Sequence, residues 1–166
     1  MDSDFDFTIP ETLRDIKLSQ WQQYIDILGK NKDAKLNDFL EKKLLGIFCG
    51  LELKDVNRIG LSVFDNTIQH LANVLNSKPE LVKTFKMIGT DGVTVEFGLI
   101  PNFDNMSYGE FVDLEKYLFV DKDFHRAMAV MYRPVKFKSK GSYLIHDYKG
   151  TEYLAEVMKS TPLDVA

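Results

Sequence analysis

The segment from Phe97 to Phe119, FGLIPNFDNMSYGEFVDLEKYLF, constrains the fold more than any other part of the sequence. It begins as an alternating strand, passes through a proline-containing turn and enters a helix. Ser107 and Glu110 have the spacing of a capping box, in which each side chain accepts a hydrogen bond from the other residue's backbone amide. Met106 and Phe111 flank this cap at the spacing of a hydrophobic staple. The segment therefore predicts a rigid, well-defined element, and it indicates no chemistry.

Composition and charge favour a single soluble domain over residues 1–166. The chain is 45% apolar and 28% charged, and its net charge of −4 provides no overall attraction for nucleic acid or an acidic membrane. The only cysteine, Cys49, lies in the apolar run LLGIFCG and is more typical of a core residue than of a nucleophile. No apolar run reaches the roughly 20 residues that a membrane-spanning helix needs. We expect one domain and no membrane partner.

Apolar periodicity predicts a helical N-terminal half. The alternation FDFTI at residues 5–9 predicts a short strand that Pro10 ends. A first helix is predicted to start at a capping box formed by Ser19 and Gln22 and to stop at Gly29. A short helical turn is predicted near residues 55–59. Two longer helices are predicted, from about Ala34 to Cys49 and from a cap at Ser62 to about Leu75.

The C-terminal half has a different pattern. Two β-prone runs on either side of Gly89–Gly92 predict one hairpin, and two further runs around Gly141 predict a second. Helices are predicted at residues 108–119, 122–133 and 151–159. The fold class is therefore α+β, a helical N-terminal half followed by two β-hairpins packed with helices.

The last residues have the pattern of a helix beginning. Thr161 is placed as the cap, Pro162 at the first helical position and Asp164 in the first turn. Two interpretations remain open. The segment is a frayed tail, or the sequence is the N-terminal part of a chain that continues beyond Ala166.

No arrangement of residues predicts catalysis, a cofactor or a metal. His70, His125 and His146 lie in separate predicted elements, and none has a second histidine or a cysteine at metal-ligand spacing. The glycines match neither of the common phosphate-binding loops. The sequence thus predicts a protein that is not an enzyme, with a small-molecule enzyme of unrecognised type as the alternative.

One cluster of basic residues begins at the end of the predicted helix over residues 122–133 and continues into the second predicted hairpin, and its members are Arg133, Lys136, Lys138 and Lys140. The three lysines alternate along one predicted strand. Such a patch contacts DNA phosphates or an acidic partner, or it is a solvated strand edge whose lysines discourage unwanted pairing. Nucleic acid contact is possible on this pattern and is not the favoured interpretation.

Four segments of the chain carry a family resemblance. They are IPETLRDIKLSQWQQYIDI at residues 9–27, the Phe97–Phe119 segment, MAVMYRPV at 128–135 and YLAEVMKSTPLDVA at 153–166. Together they resemble small proteins of tailed bacteriophages, among them crAss-like and other phages of Bacteroidota. In similar proteins the segment matching TPLDVA leads into a further apolar helix, which agrees with the second interpretation of the C-terminus.

The resemblance implies a non-catalytic virion structural protein of the tail, the head–tail junction or packaged cargo. A tail-assembly chaperone that is not retained in the particle is the alternative. The implied partners are other phage structural proteins, with self-association open, and the implied location is the host cytoplasm during assembly and then the virion. Phe103 and Tyr108, beside the proline-containing turn, are the candidate contact residues, with Arg133 as a rim charge. Core packing is an equally open interpretation of Phe103 and Tyr108.

Overall fold

The structure, a computed structural model, describes residues 6–31, 37–89 and 91–166. Within these ranges it contains seven α-helices and one four-stranded antiparallel sheet, which confirms the predicted α+β class with helices first and two hairpins after. The helices of the first half are α1 (Leu18–Lys30), α2 (Asn37–Cys49), α3 (Leu53–Val56) and α4 (Leu61–Leu75). The second half runs β1 (Thr84–Ile88), β2 (Thr94–Leu99), α5 (Tyr108–Tyr117), α6 (Phe124–Met131), β3 (Tyr132–Ser139), β4 (Ser142–Ile145) and α7 (Glu152–Met158). Single 3₁₀ turns lie at Leu13–Asp15, Phe103–Asn105 and Asp121–Asp123.

The strands follow one another across the sheet in the order β1-β2-β3-β4. Strand β2 pairs with β3 so that Gly98 lies opposite Arg133. A Cβ atom at Gly98 would lie 2.6 Å from the Tyr143 ring, so the ring occupies the space that a side chain would need. The Tyr143 hydroxyl donates a hydrogen bond of 2.7 Å to the Leu99 carbonyl. Gly98 therefore lets β4 fold its aromatic ring over β2.

Two groups of buried side chains form the interior. The helical half encloses one of them, centred on Leu45, Phe48 and Leu71. The other lies between the sheet and helices α6 and α7, where Phe97 stacks on Phe85 and Phe85 meets Tyr132 edge to face. Leu163, near the C-terminus, packs against both groups and so joins the two halves.

The glycines predicted to end α2 and to form the first hairpin turn are confirmed. Gly50, just after α2, has φ +69, and Gly92, in the first hairpin turn, has φ +78, conformations that glycine adopts without steric cost. The side chain of Asp91 accepts a hydrogen bond from the Val93 amide and closes that turn. Ala34, at the predicted start of α2, lies outside the described residues.

The predicted N-terminal strand is wrong for the described residues 6–10, which have no regular secondary structure. Phe7 and Ile9 pack instead against the helical group of core residues. No described strand lies beside them, and Pro10 has no amide hydrogen to donate to one. These apolar side chains are thus buried against helices, and no hydrogen bonds to a neighbouring strand are needed. Phe5, which belongs to the same prediction, lies outside the described residues.

The predicted caps of two N-terminal helices are also wrong. Helix α1 starts at Leu18, whose amide donates to the Thr161 carbonyl at 2.8 Å, and the Ser19 amide donates to the Lys159 carbonyl at 2.9 Å. Carbonyls from the other end of the chain therefore satisfy amides that a serine cap would serve. The helix also runs one residue past Gly29, to Lys30. Helix α4 is capped by Gly60, so Ser62 lies inside it.

The predicted helix over residues 122–133 is shorter, because it begins at Phe124 and ends at Met131. Tyr132 is already extended, with φ −119 and ψ 127. Arg133 precedes Pro134, whose ring disfavours a helical conformation at the preceding residue, and the chain passes directly from α6 into β3.

The C-terminal residues are held in place, so a frayed tail is wrong. Thr161 is fully buried, and the Leu163 amide donates to the Ile16 carbonyl at 2.7 Å. The Pro162 carbonyl accepts from the amides of Val165 and Ala166, so the turn begins one residue later than the predicted cap at Thr161, whose carbonyl accepts from the Leu18 amide instead. No helix among the described residues is long and apolar enough to cross a membrane.

Candidate interaction surface

Helix α5 buries the charged side chain of Glu110 and exposes the apolar side chains of Tyr108, Phe111 and Val112. The helix starts at the predicted capping box. The Ser107 amide donates to Glu110 Oε2 at 2.6 Å, and the Glu110 amide donates to Ser107 Oγ at 3.2 Å. This box fixes where the helix starts. The predicted Ser107–Glu110 box is confirmed.

The inward side of α5 is held by an inner cluster of Glu110, Asp113, Arg133 and Tyr148. Glu110 and Arg133 form an ion pair of 2.5 Å, and the two residues are only 6% and 7% exposed. Arg133 also donates from Nε to the His146 carbonyl and from Nη1 to the Val130 carbonyl, each at 2.8 Å. Its guanidinium lies over the Tyr148 ring, 5.4 Å from the ring centre. The Tyr148 hydroxyl donates to Asp113.

The electrostatics of the inner cluster favour a fixed structural contact. Burial acts to raise the pKa of Glu110, but the hydrogen bonds from Ser107 and the neighbouring Arg133 outweigh it and hold this pKa below its usual value. Burial and the hydrogen bond to Asp113 raise the pKa of Tyr148. Both groups therefore keep one protonation state across the neutral range, and each charge already has its partner inside the fold.

A polar cleft of about 450 Å³ lies beside the inner cluster. Its floor includes Glu110 and Arg133, and its rim includes Ser107, His146 and Asp147. His146 and Asp147 are exposed, so the cleft is open to solvent. The two buried charges at its floor face each other rather than the open volume.

The outer face of α5 consists of Tyr108, Phe111, Val112 and Phe119. They are 83%, 51%, 39% and 89% exposed. Successive members lie three, one and seven residues apart, so a helical period of 3.6 residues places them along one side, with Phe119 just beyond the last turn. A surface helix normally turns this stripe toward the core, and α5 turns it toward solvent.

An apolar groove of about 390 Å³ adjoins the end of this outer face. Phe119 forms part of its wall, so the face and the groove are continuous. Its other lining residues include Trp21 of α1, Pro79 after α4, Phe124 of α6 and Ala166. The outer face of α5 is convex and the groove is concave, so together they offer a partner two adjoining apolar surfaces.

The structure separates the site residues predicted from the sequence into two groups. Phe103 and Tyr108 are 45% and 83% exposed, so core packing is wrong for both. Tyr108 belongs to the outer face of α5, whereas Phe103 lies beside a separate shallow hollow near Tyr143. Arg133, expected as a rim charge, is buried in the inner cluster, because β3 begins earlier than predicted and turns its side chain toward α5.

The predicted lysine patch is largely neutralised by neighbouring acids. Lys138 pairs with Glu96 at 2.9 Å, and Lys136 lies 3.8 Å from Asp147. Lys140 sits in the β3–β4 turn with φ +35. Strand β3 pairs with β2 only over residues 132–134, and the stretch that carries Lys136 and Lys138 pairs with β4 alone among the described strands, so a solvated strand edge stays an interpretation of these lysines.

The remaining candidate chemistry stays dispersed. His70 lies 2.9 Å from the Pro10 carbonyl, and His125 lies 3.1 Å from the Gln22 amide nitrogen. Burial, with the nearby charges of Lys159 and Arg126, lowers the pKa of His125. Burial raises the pKa of Cys49 to about 11. Among the described residues no group of three or more His, Cys, Asp or Glu side chains is placed to hold a metal ion.

Sequence reasoning missed Phe111, Val112 and Phe119 as surface residues. The segment YGEFVDLEKYLF has apolar residues on more than one side of a helix, so periodicity does not reveal which stripe is buried. Glu110 and Asp113 mark the inward side of α5, where they meet Arg133 and Tyr148, and these partners lie far along the chain.

No protein-family model matches the chain, and neither a curated protein nor a solved structure matches it.

Proposed function

We propose that this protein is a non-catalytic structural component of a tailed bacteriophage particle that acts through protein–protein contacts. It joins the tail, the head–tail junction or the packaged cargo, and it meets its partners in the host cytoplasm during assembly. The observation that carries the proposal is the outer face of α5, where four large apolar side chains are presented to solvent while Glu110 of the same helix is buried.

The two sides of α5 contribute differently to the free energy of folding. Burying Glu110 and Arg133 requires desolvation that their mutual attraction repays only with good geometry. An arrangement with apolar residues inward would bury more apolar area at no such cost. A helix that reverses the usual order is therefore explained by a role for its apolar side outside the monomer.

The size of the face supports a protein partner rather than a small molecule. Three aromatic side chains, each with a total area of roughly 150–250 Å² and at least half exposed, present on the order of 400 Å² of mostly apolar surface. Exposed apolar patches of this size on monomers are commonly interaction sites. The bacteriophage context comes from the sequence resemblance, which spans residues 97–119 and therefore includes the whole outer face.

The experiment is mass spectrometry of purified particles from phages that carry designed variants. The double variant Tyr108→Ser/Phe119→Ser removes the two most exposed aromatic groups of the outer face. The matched control is Leu61→Ser, which removes a 75% exposed apolar side chain from the start of α4. Circular dichroism of the purified variants shows that both remain folded.

We expect wild type and Leu61→Ser in particles at the same fixed copy number and the double variant reduced at least tenfold. Equal incorporation of all three proteins contradicts the assignment of the outer face. A wild-type protein that is missing from particles but bound to tail proteins in infected cells identifies an assembly chaperone instead. Turnover of a small molecule by the purified protein overturns the non-catalytic assignment.

A further inference from the structure

The outer face of α5 has the dimensions of a seat for one helix. From Tyr108 to Phe119 the face spans eleven residue steps, about 16 Å at 1.5 Å per residue, which is three helical turns. Beyond Phe119 the surface descends into the apolar groove, whose lining includes Trp21 and Phe124. A helix laid along the ridge therefore has space at one end for a large apolar side chain.

Unpaired carboxylates mark this surface. Glu115 occupies the position on α5 between Val112 and Phe119, so it interrupts the apolar stripe, and Asp121 lines the groove. Both are exposed, and within the part of the chain that the structure describes neither carboxylate has an ion-pair partner. Of the neighbouring cations, Lys116 lies over the Tyr117 ring, and Lys122 lines a second cavity beside α1 and α2 that Asp121 also lines. Among the described residues neither lysine forms an ion pair with Glu115 or Asp121, so the surface combines apolar area with two unpaired carboxylates.

This charge disfavours a second copy of the chain as the occupant. In a two-fold pairing through the outer face, each Glu115 would come near the same region of the other copy, which carries the same acids. The net charge of −4 on each chain adds to that repulsion. A partner with basic groups on an apolar face removes the conflict and pairs both carboxylates.

We propose that the outer face of α5 and the adjoining groove bind an amphipathic helix of another protein, of about three turns or more, whose apolar stripe carries lysine or arginine opposite Glu115 and Asp121. This inference rests on the proposed function, because it names the partner chemistry for the same surface. The helix lays its apolar side chains between Phe111 and Phe119 and inserts one of them into the groove.

The test uses Trp21, the only tryptophan of the chain, which lines the groove and reports its occupation by fluorescence. The probe is a stapled helical peptide of about 16 residues, with leucine on one face, lysine at the flanking positions and no tryptophan. The control peptide has glutamate in place of every lysine. Both are titrated into the wild-type protein and into Glu115→Lys, a variant at an exposed position outside the core.

We expect the lysine peptide to shift Trp21 emission saturably and to bind wild type at least tenfold more tightly than the glutamate peptide. Glu115→Lys should reduce or reverse the ratio of the affinities for the lysine and glutamate peptides. Phe119→Ser should weaken the binding of both peptides. Equal binding of the two peptides, or a ratio unchanged in Glu115→Lys, overturns the proposal. Trp21 emission that shifts with protein concentration alone identifies a second copy as the occupant and also overturns it.

The two proposals fail in different ways. If the peptides leave Trp21 unchanged while Tyr108→Ser/Phe119→Ser is still lost from particles, the surface binds a partner of another kind and only the basic helix is wrong. If the particle experiment also shows no difference, the outer face of α5 has no role in assembly and both proposals fall.

Discussion

Replacing Glu110 with glutamine tests whether the inner cluster holds α5 against the sheet. Glutamine keeps an oxygen that accepts from the Ser107 amide, so the capping box survives. The change removes the negative charge and places an NH2 donor where Oε1 accepted from Arg133, so the guanidinium stays buried without that partner. The variant thus isolates the buried ion pair from the helix cap.

The expected loss follows from burial and from the bonds that remain. Removing one partner of a buried ion pair costs about 3–5 kcal/mol. Arg133 keeps its bonds to the carbonyls of His146 and Val130, and the polar cleft admits water to one side of the cluster, so we expect about 3 kcal/mol. For a chain of this length that corresponds to a fall of roughly 6–12 °C in unfolding temperature.

The assay is urea unfolding at pH 7 followed by circular dichroism. The matched control is Glu96→Gln, which breaks the largely exposed pair with Lys138 and should cost less than about 1 kcal/mol. A third variant, Arg133→Met, and its combination with Glu110→Gln complete a double-mutant cycle. We expect the combined loss to be about 2 kcal/mol or more below the sum of the single losses. A Glu110→Gln loss no larger than that of Glu96→Gln, or strictly additive losses in the cycle, would refute the reasoning.

Three further predictions concern acid, glycine and thiol chemistry. Because the fold lowers the pKa of Glu110, the stabilisation by this carboxylate is complete above the unfolded-state pKa of about 4.5 and is lost as pH falls through the folded-state pKa. In urea unfolding at decreasing pH, the free energies of unfolding of wild type and Glu110→Gln should therefore converge. A difference between them that stays constant with pH would contradict this. Gly98→Ala should destabilise the protein by about 1–3 kcal/mol, because its Cβ meets the Tyr143 ring. Gly29→Ala, on the open surface of α1, should stabilise it by roughly 0.5–1 kcal/mol. Equal effects of the two variants on thermal unfolding would count against both assignments. The buried Cys49 thiol, with its pKa raised to about 11, should react with a disulfide reagent at pH 8 only as fast as the protein unfolds, and rapid labelling of the native protein would disprove its burial.

The sequence predicted what short-range interactions decide. The start of α5 depends on Ser107 and Glu110, three residues apart, and the first hairpin turn depends on Asp91 and Gly92. The stop of α2 depends on Gly50. Each of these features is decided within one or two turns of chain, so the pattern alone was sufficient, and the α+β class followed from the sum of such elements.

The features that the sequence did not predict depend on partners far along the chain. The amides at the start of α1 are satisfied by Thr161 and Lys159, so no serine cap is needed there. Phe7 fits a strand pattern but packs on helices. Glu110 of α5 faces inward to pair with Arg133, which lies 23 residues further along the chain. Local periodicity contains none of this information.

The most direct test of the central claim is hydroxyl-radical footprinting of Tyr108, Phe111 and Phe119 in the purified protein and in assemblies isolated from infected host cells. The inner-cluster residue Tyr148 and the 79% exposed Tyr153 of α7 serve as internal references. If the outer face of α5 is an interaction surface, its three aromatic residues oxidise readily in the free protein and are protected at least fivefold in the assembly. Equal oxidation of these three residues in both samples would contradict the claim.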